Sequence, residues 1–478
     1  MTLSAAAPSR QVTEAVWDVA VEELVETVRA FIRIPSINPP AVEAPDGETR
    51  MARAIATMLE SAGLEAEIVE PVPGRGSVHT RLHGDGTGGE PLLLLSHLDV
   101  VPAPTERWSH DPFSADLADG YIYGRGAVDM KAMIAMELGV VRMLASEARA
   151  EGLDPARDPI PGLRRDILFT VTADEEAGGV AGAKWFAEHR PEWLRAAGAL
   201  NECGGVSATI GGRRFYPIQV AEKGFAAYRI AVRGSWGHGS MPREDNAAVL
   251  AAAVIERLAA PGPTRVTPVM ARAFELAAAE LPAEAGEVLR ALSGDDPARA
   301  EAALSVACDP MYARAVRALL RDTISPDVVH AGFKYNVIPG DAVVEVDCRV
   351  LPGTTEAAMR AELVERLGPE LAAACEIELI VFGGPVESPA EGQLFDLLVA
   401  TIRDHDPEGI PLPVMAPFAT DAKFTDALGV PTYGFSPLRL DPDERFLDRF
   451  HGIDERVSVD ALRWGLPVLY DVVRGFCG

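Results

Sequence analysis

Pro91-Leu92-Leu93-Leu94-Leu95-Ser96-His97-Leu98-Asp99 runs apolar from the start and then turns polar. Consecutive apolar positions, without alternation, fit a strand covered on both faces. Asp166–Thr172 and Ala197–Leu200 have the same short, branched-apolar character. Helical spacing of apolar residues fills the intervals, at Met130–Ser146 and Gly182–Glu188. Two more helical patterns, Val21–Ile34 and Thr49–Ala62, precede the first strand. Strands alternating with helices predict an α/β fold around a mostly parallel sheet.

Near Ala221 the pattern changes. Phe225–Arg233 and Val343–Val350 alternate apolar with polar, as half-exposed strands do, and Glu376–Phe382 reads as another strand. Asn246–Ala259 and Glu356–Leu367 read as helices. The order is β-α-β-β-α-β-like, which predicts a small α+β, ferredoxin-like sheet with helices on one face. An Ala/Arg/Glu-rich stretch near 272–321 reads as a helical insertion. From about Pro385 the first style returns. The expected organisation is a discontinuous catalytic, metal-binding domain over 1–220 and 386–478, with a lid or dimerisation domain inserted at 221–385. A chain of 478 residues is also too long for one core. No internal repeat is present.

The chain carries 44 basic and 71 acidic residues, a net charge of −27. Such a surface repels nucleic acid and anionic membranes, so neither is expected as a partner. Cys203, Cys308, Cys348, Cys375 and Cys477 form no CxxC pair, which fits a reducing compartment. Met1–Ala30 shows no apolar segment after a basic start. The reading is therefore cytoplasmic, with no signal peptide and no membrane helix.

The chemistry collects where the apolar runs end. The first ends in Ser96-His97-Leu98-Asp99, the second in Ala173-Asp174-Glu175-Glu176, the third in Asn201-Glu202. In open α/β sheets ligands bind at the carboxyl ends of strands. Asp129 lies where a Gly-rich loop, Tyr123–Lys131, enters a helix, and His451 lies near the C-terminus. Imidazoles and carboxylates are zinc donors. Two metals can share one carboxylate and clamp both an attacking water and a carbonyl. Glu175 and Glu176, adjacent on an extended strand, would point apart, so that one ligates and the other meets the water. Asp99, two residues from His97, would accept the imidazole N–H.

These segments resemble the successive signatures of the M20 metallopeptidases. Trp108…Asp111-Pro112-Phe113, Gly237-His238-Gly239-Ser240, Lys334–Pro339 and Thr420-Asp421-Ala422 fit the same order. Glu222-Lys223-Gly224 and Phe450–Glu455 look closest to the branch holding carboxypeptidase S and the N-fatty-acyl amino acid synthase/hydrolases, with aminoacylases and acetylornithine deacetylases as further relatives. The resemblance implies two divalent metal ions, zinc first, with cobalt or manganese as alternatives. Its implied ligands are His97, Asp129 as the bridge, Glu176, Glu202 and His451, with the pairing of His97 and Glu176 left open. It also implies a cis Asp129–Met130 peptide. Glu175 is the implied general base and Asp99 the group that orients His97. His238 is similar to a histidine that polarises the substrate carbonyl, often across a dimer interface. Asn336 and Arg349 resemble groups that hold a substrate carboxylate. A homodimer through the inserted domain is implied as well.

The expected activity is hydrolysis of an amide bond in an N-acyl amino acid or small peptide bearing a free carboxylate. Glu202, as Glu instead of Asp, favours deacylase and carboxypeptidase relatives over those reading a free amino terminus. The alternatives are a dipeptidase, a non-catalytic metal-binding scaffold, or the same site run in condensation. Retention of Glu175 speaks against the scaffold. Each residue also has a plainer reading: Asp129 as a helix N-cap, Glu202 as a loop carboxylate, His238 as a turn histidine, Arg349 as a strand-end charge. Gly84–Gly89 has the spacing of a dinucleotide fingerprint but precedes a strand, so it reads as a loop.

Overall fold

The computed structural model describes residues 8–39, 45–294 and 296–478. The first seven positions of the N-terminal stretch read above lie outside these. The chain divides into two compact units. One comprises Met1–Val220, Ser388–Val414 and Thr420–Gly478, the other Ala221–Glu387 and Met415–Ala419.

In the first unit the Leu92–His97 strand is buried at every position. It pairs in parallel with Ile167–Thr172, from Leu92↔Ile167 to His97↔Thr172. On its other side it pairs in parallel with Gly198–Asn201, which pairs in parallel with Thr432–Gly434. The expected parallel sheet is therefore present at the centre. Its flanks are antiparallel: Ser77–Leu82 runs against Ile167–Thr172, and Gln219 meets Gly434 on the far side. Leu93 and Leu95 pack with Leu168, Phe186, Trp193 and Ala199 on one face. Leu92 and Leu94 project to the other. Full burial of each leucine contributes about 2 kcal/mol relative to exposure. The Lys131–Ala150 helix is buried without interruption from Lys131 to Leu138. It packs against the sheet and against the Glu14–Ile32 and Val459–Cys477 helices. The parallel register brings the ends of three strands, His97, Thr172 and Asn201, to one edge of the sheet.

The opening helix begins at Glu14, not Val21. Its first turns expose Val16 and Val19, and burial sets in only at Val21, so the apolar pattern marks the buried part alone.

In the second unit Gly224–Arg233 lies between Asp341–Val350 and Cys375–Gly383, antiparallel to both. Thr323–Ala331 forms the edge beside Asp341–Val350. The Ala247–Ala259 and Glu356–Ala373 helices cover one face, around Tyr228, Ile230, Val254, Leu258, Val344, Val346, Met359 and Leu363. This is the expected α+β arrangement. Its second helix runs past Leu367 through a non-helical Gly368, at φ 70, and Pro369. Short helices from Pro268–Glu280 to Pro310–Leu319 occupy the Ala/Arg/Glu-rich region.

Candidate metal centre

Two groups of potential ligands stand out in the first unit. His97, Glu175 and Glu202 form one, and Asp129, Glu176 and His451 the other. In each group the donor atoms lie within 4.8 Å of one another. Asp129 touches both groups. Its Oδ1 is 3.0 Å from His97 Nε2, and its Oδ2 is 3.3 Å from His451 Nε2. His97 Nε2 also lies 3.5 Å from Glu202, and His451 Nε2 lies 3.2 Å from Glu176.

Local backbone sets these positions, partly in ways the linear pattern did not convey. Glu175 and Glu176 do not extend the strand. Asp174 adopts φ 72, and the two glutamates start a 3-10 turn, Glu175–Ala177. That turn, not strand alternation, sends their carboxylates to different groups. Asp129 does not cap the following helix: Met130 holds the cap position, and no side-chain cap bond forms. The Asp129–Met130 peptide is cis. Asp99 lies beyond the end of its strand. Its carboxylate accepts the backbone N–H groups of Glu175 at 3.1 Å and Glu176 at 3.0 Å. The imidazole Nδ1 of His97 is nearer the Asp99 main-chain carbonyl, at 3.1 Å, than the Asp99 carboxylate, at 3.5 Å. Both oxygens of Asp99 therefore favour an Nδ1–H tautomer, which leaves Nε2 facing the ligand group.

The electrostatics are those of crowded carboxylates. Burial and the charge of Glu202 hold the Glu175 carboxyl well above the usual range. Burial raises Glu176 as well. Asp129 would also be raised by burial, yet hydrogen bonds from His451 and His97 draw it below the carboxylate range. The same contacts with Asp129 and Glu176 lift His451 to about 10. Positive charge is thus strongly favoured among these donors. The buried Oε1 of Glu176 has no hydrogen-bond partner among the described residues. Two imidazoles, four carboxylates and an unsatisfied oxygen fit a pair of divalent cations with oxygen and nitrogen ligands.

Several supporting residues carried no role in the sequence reading. Asn38 Nδ2 donates to Asp99 at 2.7 Å, and Arg75 donates to Asn38 at 2.8 Å. Glu48 accepts the Asp174 N–H at 2.8 Å. Asp421 accepts the Thr172 hydroxyl at 2.8 Å, and Lys423 Nζ lies 4.0 Å from Glu175. Thr420-Asp421-Ala422 was a visible motif. Nothing in the linear sequence linked Asn38 or Glu48 to the strand ends.

The remaining residues read from the sequence lie in the second unit. His238 is exposed, with Nδ1 2.8 Å from Ser240 Oγ. Gly237–His238 pairs with Val337–Ile338, and the Gly239 N–H donates to the Asn336 carbonyl at 2.9 Å, so His238 and Asn336 are neighbours. The Asn336 side-chain oxygen is buried without a partner among the described residues. Arg349 is half-exposed and donates to Asp347 at 2.9 Å. None of the five cysteines forms a disulfide. No described helix is long and apolar enough to cross a membrane.

A parallel sheet with His97, Glu175, Glu176 and Glu202 at or just past its strand ends, joined by Asp129 and His451 from loops into two linked groups, defines a candidate two-metal hydrolase. Comparison with known proteins agrees. The profile of peptidase family M20/M25/M40 matches residues 93–475. Pig (Sus scrofa) aminoacylase-1 is 30% identical over 93% of this chain and 93% of its own length. Human (Homo sapiens) N-fatty-acyl-amino acid synthase/hydrolase PM20D1 is 28% identical over 87% of this chain and 80% of its own. The fold matches that of the M20 family metallo-carboxypeptidase Sso-CP2 from Sulfolobus solfataricus, with TM-score 0.67, 18% identity and coverage of 95% and 99%. The chain belongs to the M20 peptidase family and is a metallohydrolase acting on amide bonds.

Proposed function

We propose that this enzyme hydrolyses the amide of N-acyl amino acids, or of small peptides with a free carboxylate, using two zinc ions. The carrying observation is that Asp129 links the two ligand groups through His97 and His451, with the Glu175 carboxylate inside the first of them. His97 and Glu202 would hold one ion and Glu176 and His451 the other, with Asp129, which lies near both histidines, as the ligand they would share. Two cations held there supply Lewis acidity to the scissile carbonyl and the attacking water. Glu175 takes the proton from water and returns it to the leaving amine. Burial and the neighbouring Glu202 charge raise its pKa, which makes it a stronger proton acceptor than an exposed glutamate. Asp99 holds the turn carrying Glu175 and fixes the His97 tautomer. His238 donates a hydrogen bond to the oxyanion, and Asn336 and Arg349 take the substrate carboxylate.

Deacylation is favoured over dipeptide cleavage by aminoacylase-1 and the N-fatty-acyl-amino acid synthase/hydrolase among the similar proteins. Glu202 leans the same way. The test is a panel of N-acyl amino acids and dipeptides, each with zinc, cobalt and manganese. N-acyl amino acids should turn over fastest, and a preference for dipeptides would reverse the assignment. Glu175→Gln should keep both metals and lose about 10²–10⁴-fold in kcat. Near-normal kcat in that variant would place the base elsewhere.

A further inference from the structure

We propose that the buried Arg125–Glu455 pair is a positioning device that sets the metal affinity of the centre by fixing the backbone of Asp129. This rests on the reading of Asp129 as a ligand shared by both ions. Glu455 is wholly buried and is no member of either ligand group. One of its oxygens accepts two consecutive backbone N–H groups, from Val128 at 2.8 Å and Asp129 at 3.2 Å. The other accepts from the Arg125 guanidinium at 2.6 Å. The Glu455 main-chain carbonyl accepts the Gly124 N–H at 2.8 Å, so the start of the loop is held by the same residue.

Arg125 is braced in turn. Its guanidinium lies 5.3 Å from the centre of the Trp108 ring, and the Arg125 main-chain N–H donates to the Pro112 carbonyl at 2.9 Å. Three sequence segments with no catalytic task thus converge on one peptide: Trp108–Phe113, the Gly-Arg-Gly of the loop, and the end of Phe450–Glu455. A carboxylate accepting adjacent amides fixes the plane and direction of the peptide it holds. That peptide leads into the side chain facing both His97 and His451. Glu455 also follows His451 by four residues, so the anchor ties down the turn carrying another ligand. The pair is neutral as a unit. Its contribution to the centre is therefore geometric and adds no net charge to a crowd of carboxylates. A glutamine could accept only through one oxygen and would turn an NH2 group toward donors.

The test uses the full chain with Arg125→Met and Glu455→Met combined, which keeps the charge sum unchanged and leaves no acceptor for the Val128 and Asp129 amides. Zinc affinity is measured by competition with a chromophoric chelator, folding by near-UV circular dichroism, and kcat on the best substrate of the panel above. Both ions should bind about 10- to 100-fold more weakly, as is usual when groups supporting metal ligands are lost. kcat should return to within a few-fold of wild type as zinc is raised. A purely structural role would not yield this split. A folded variant with wild-type zinc affinity overturns the proposal, as does a kcat that stays low with both ions bound. If the double variant fails to fold, Glu455→Asp carries the test. It keeps the charge pair but withdraws the carboxylate from the amides, and wild-type affinity there overturns the proposal equally. A wild-type chain that binds fewer than two ions instead overturns the reading of the centre on which this inference stands.

Discussion

Glu137 shows how one residue can set a pH dependence without touching substrate. It sits fully buried in the Lys131–Ala150 helix, accepting the Ser96 hydroxyl at 2.5 Å, while its other oxygen has no partner among the described residues. Burial pushes its carboxyl up to about 8. The folded pKa is above the unfolded value of 4.5, so the folded chain holds the proton more tightly. That contribution is fully present below pH 4.5 and is lost as pH rises toward 8. Glu137→Gln removes the titration. Relative to wild type, the variant should gain stability with rising pH, on the order of 2–3 kcal/mol between pH 4.5 and 7. Urea unfolding of both proteins across pH 5–8 checks this, and a difference that does not vary with pH would contradict it. Glu137 was invisible in the sequence, where it lies inside an apolar helical pattern like any interrupting charge. His97, Glu176 and Glu202 stood out because each ends an apolar run, where a polar residue needs a reason. Asn38 did not, and Glu455, though inside the visible Phe450–Glu455 segment, showed no role there, because both act through backbone amides and side chains distant along the chain, such as the Asp129 N–H at a separation of 326 residues.

At the level of elements, the parallel strands were legible because burial on both faces removes alternation from their sequence. The turn after Ile167–Thr172 was not, because its shape depends on what folds back over it. Asp174 is left-handed, its N–H is held by Glu48, and its carboxylate accepts the Ala181 N–H at 2.9 Å. Gly182 closes the turn against the strand. A Cβ there would lie 1.7 Å from the Ala173 carbonyl oxygen, a clash with backbone that no rotamer relieves. Gly182→Ala should therefore displace the segment carrying Glu175 and Glu176. Overpacking of this kind costs about 1–3 kcal/mol or more. The expected outcome is a lowered thermal midpoint together with weakened zinc binding. Gly384→Ala, with nothing within 4 Å of its added Cβ, is the control and should change neither. Equal behaviour of the two variants would mean that the turn has slack the structure does not show.

At the scale of the whole molecule, the proposed role of His238 makes a prediction about which chain supplies it. The ligand groups belong to one unit and His238 to the other. The proposed oxyanion contact comes from the same chain or from a partner copy. Loss of one oxyanion donor typically costs about 10²–10³-fold in kcat, with a smaller effect on KM when the contact forms mainly in the transition state. His238→Ala should bind two metals normally and turn over poorly. A turn histidine, by contrast, predicts altered stability and little change in kcat, since its observed partner is Ser240. The source of the residue is separable by complementation. His238→Ala and Glu175→Gln subunits are each nearly inactive alone. If the proposed homodimer exchanges the histidine between subunits, a mixed dimer holds one site with both residues intact, and activity should rise on mixing toward a fraction of wild type. With subunit exchange confirmed by a mass tag, the absence of any rise excludes delivery in trans and leaves supply by the same chain. Sedimentation that shows only monomer at micromolar concentration excludes delivery in trans independently.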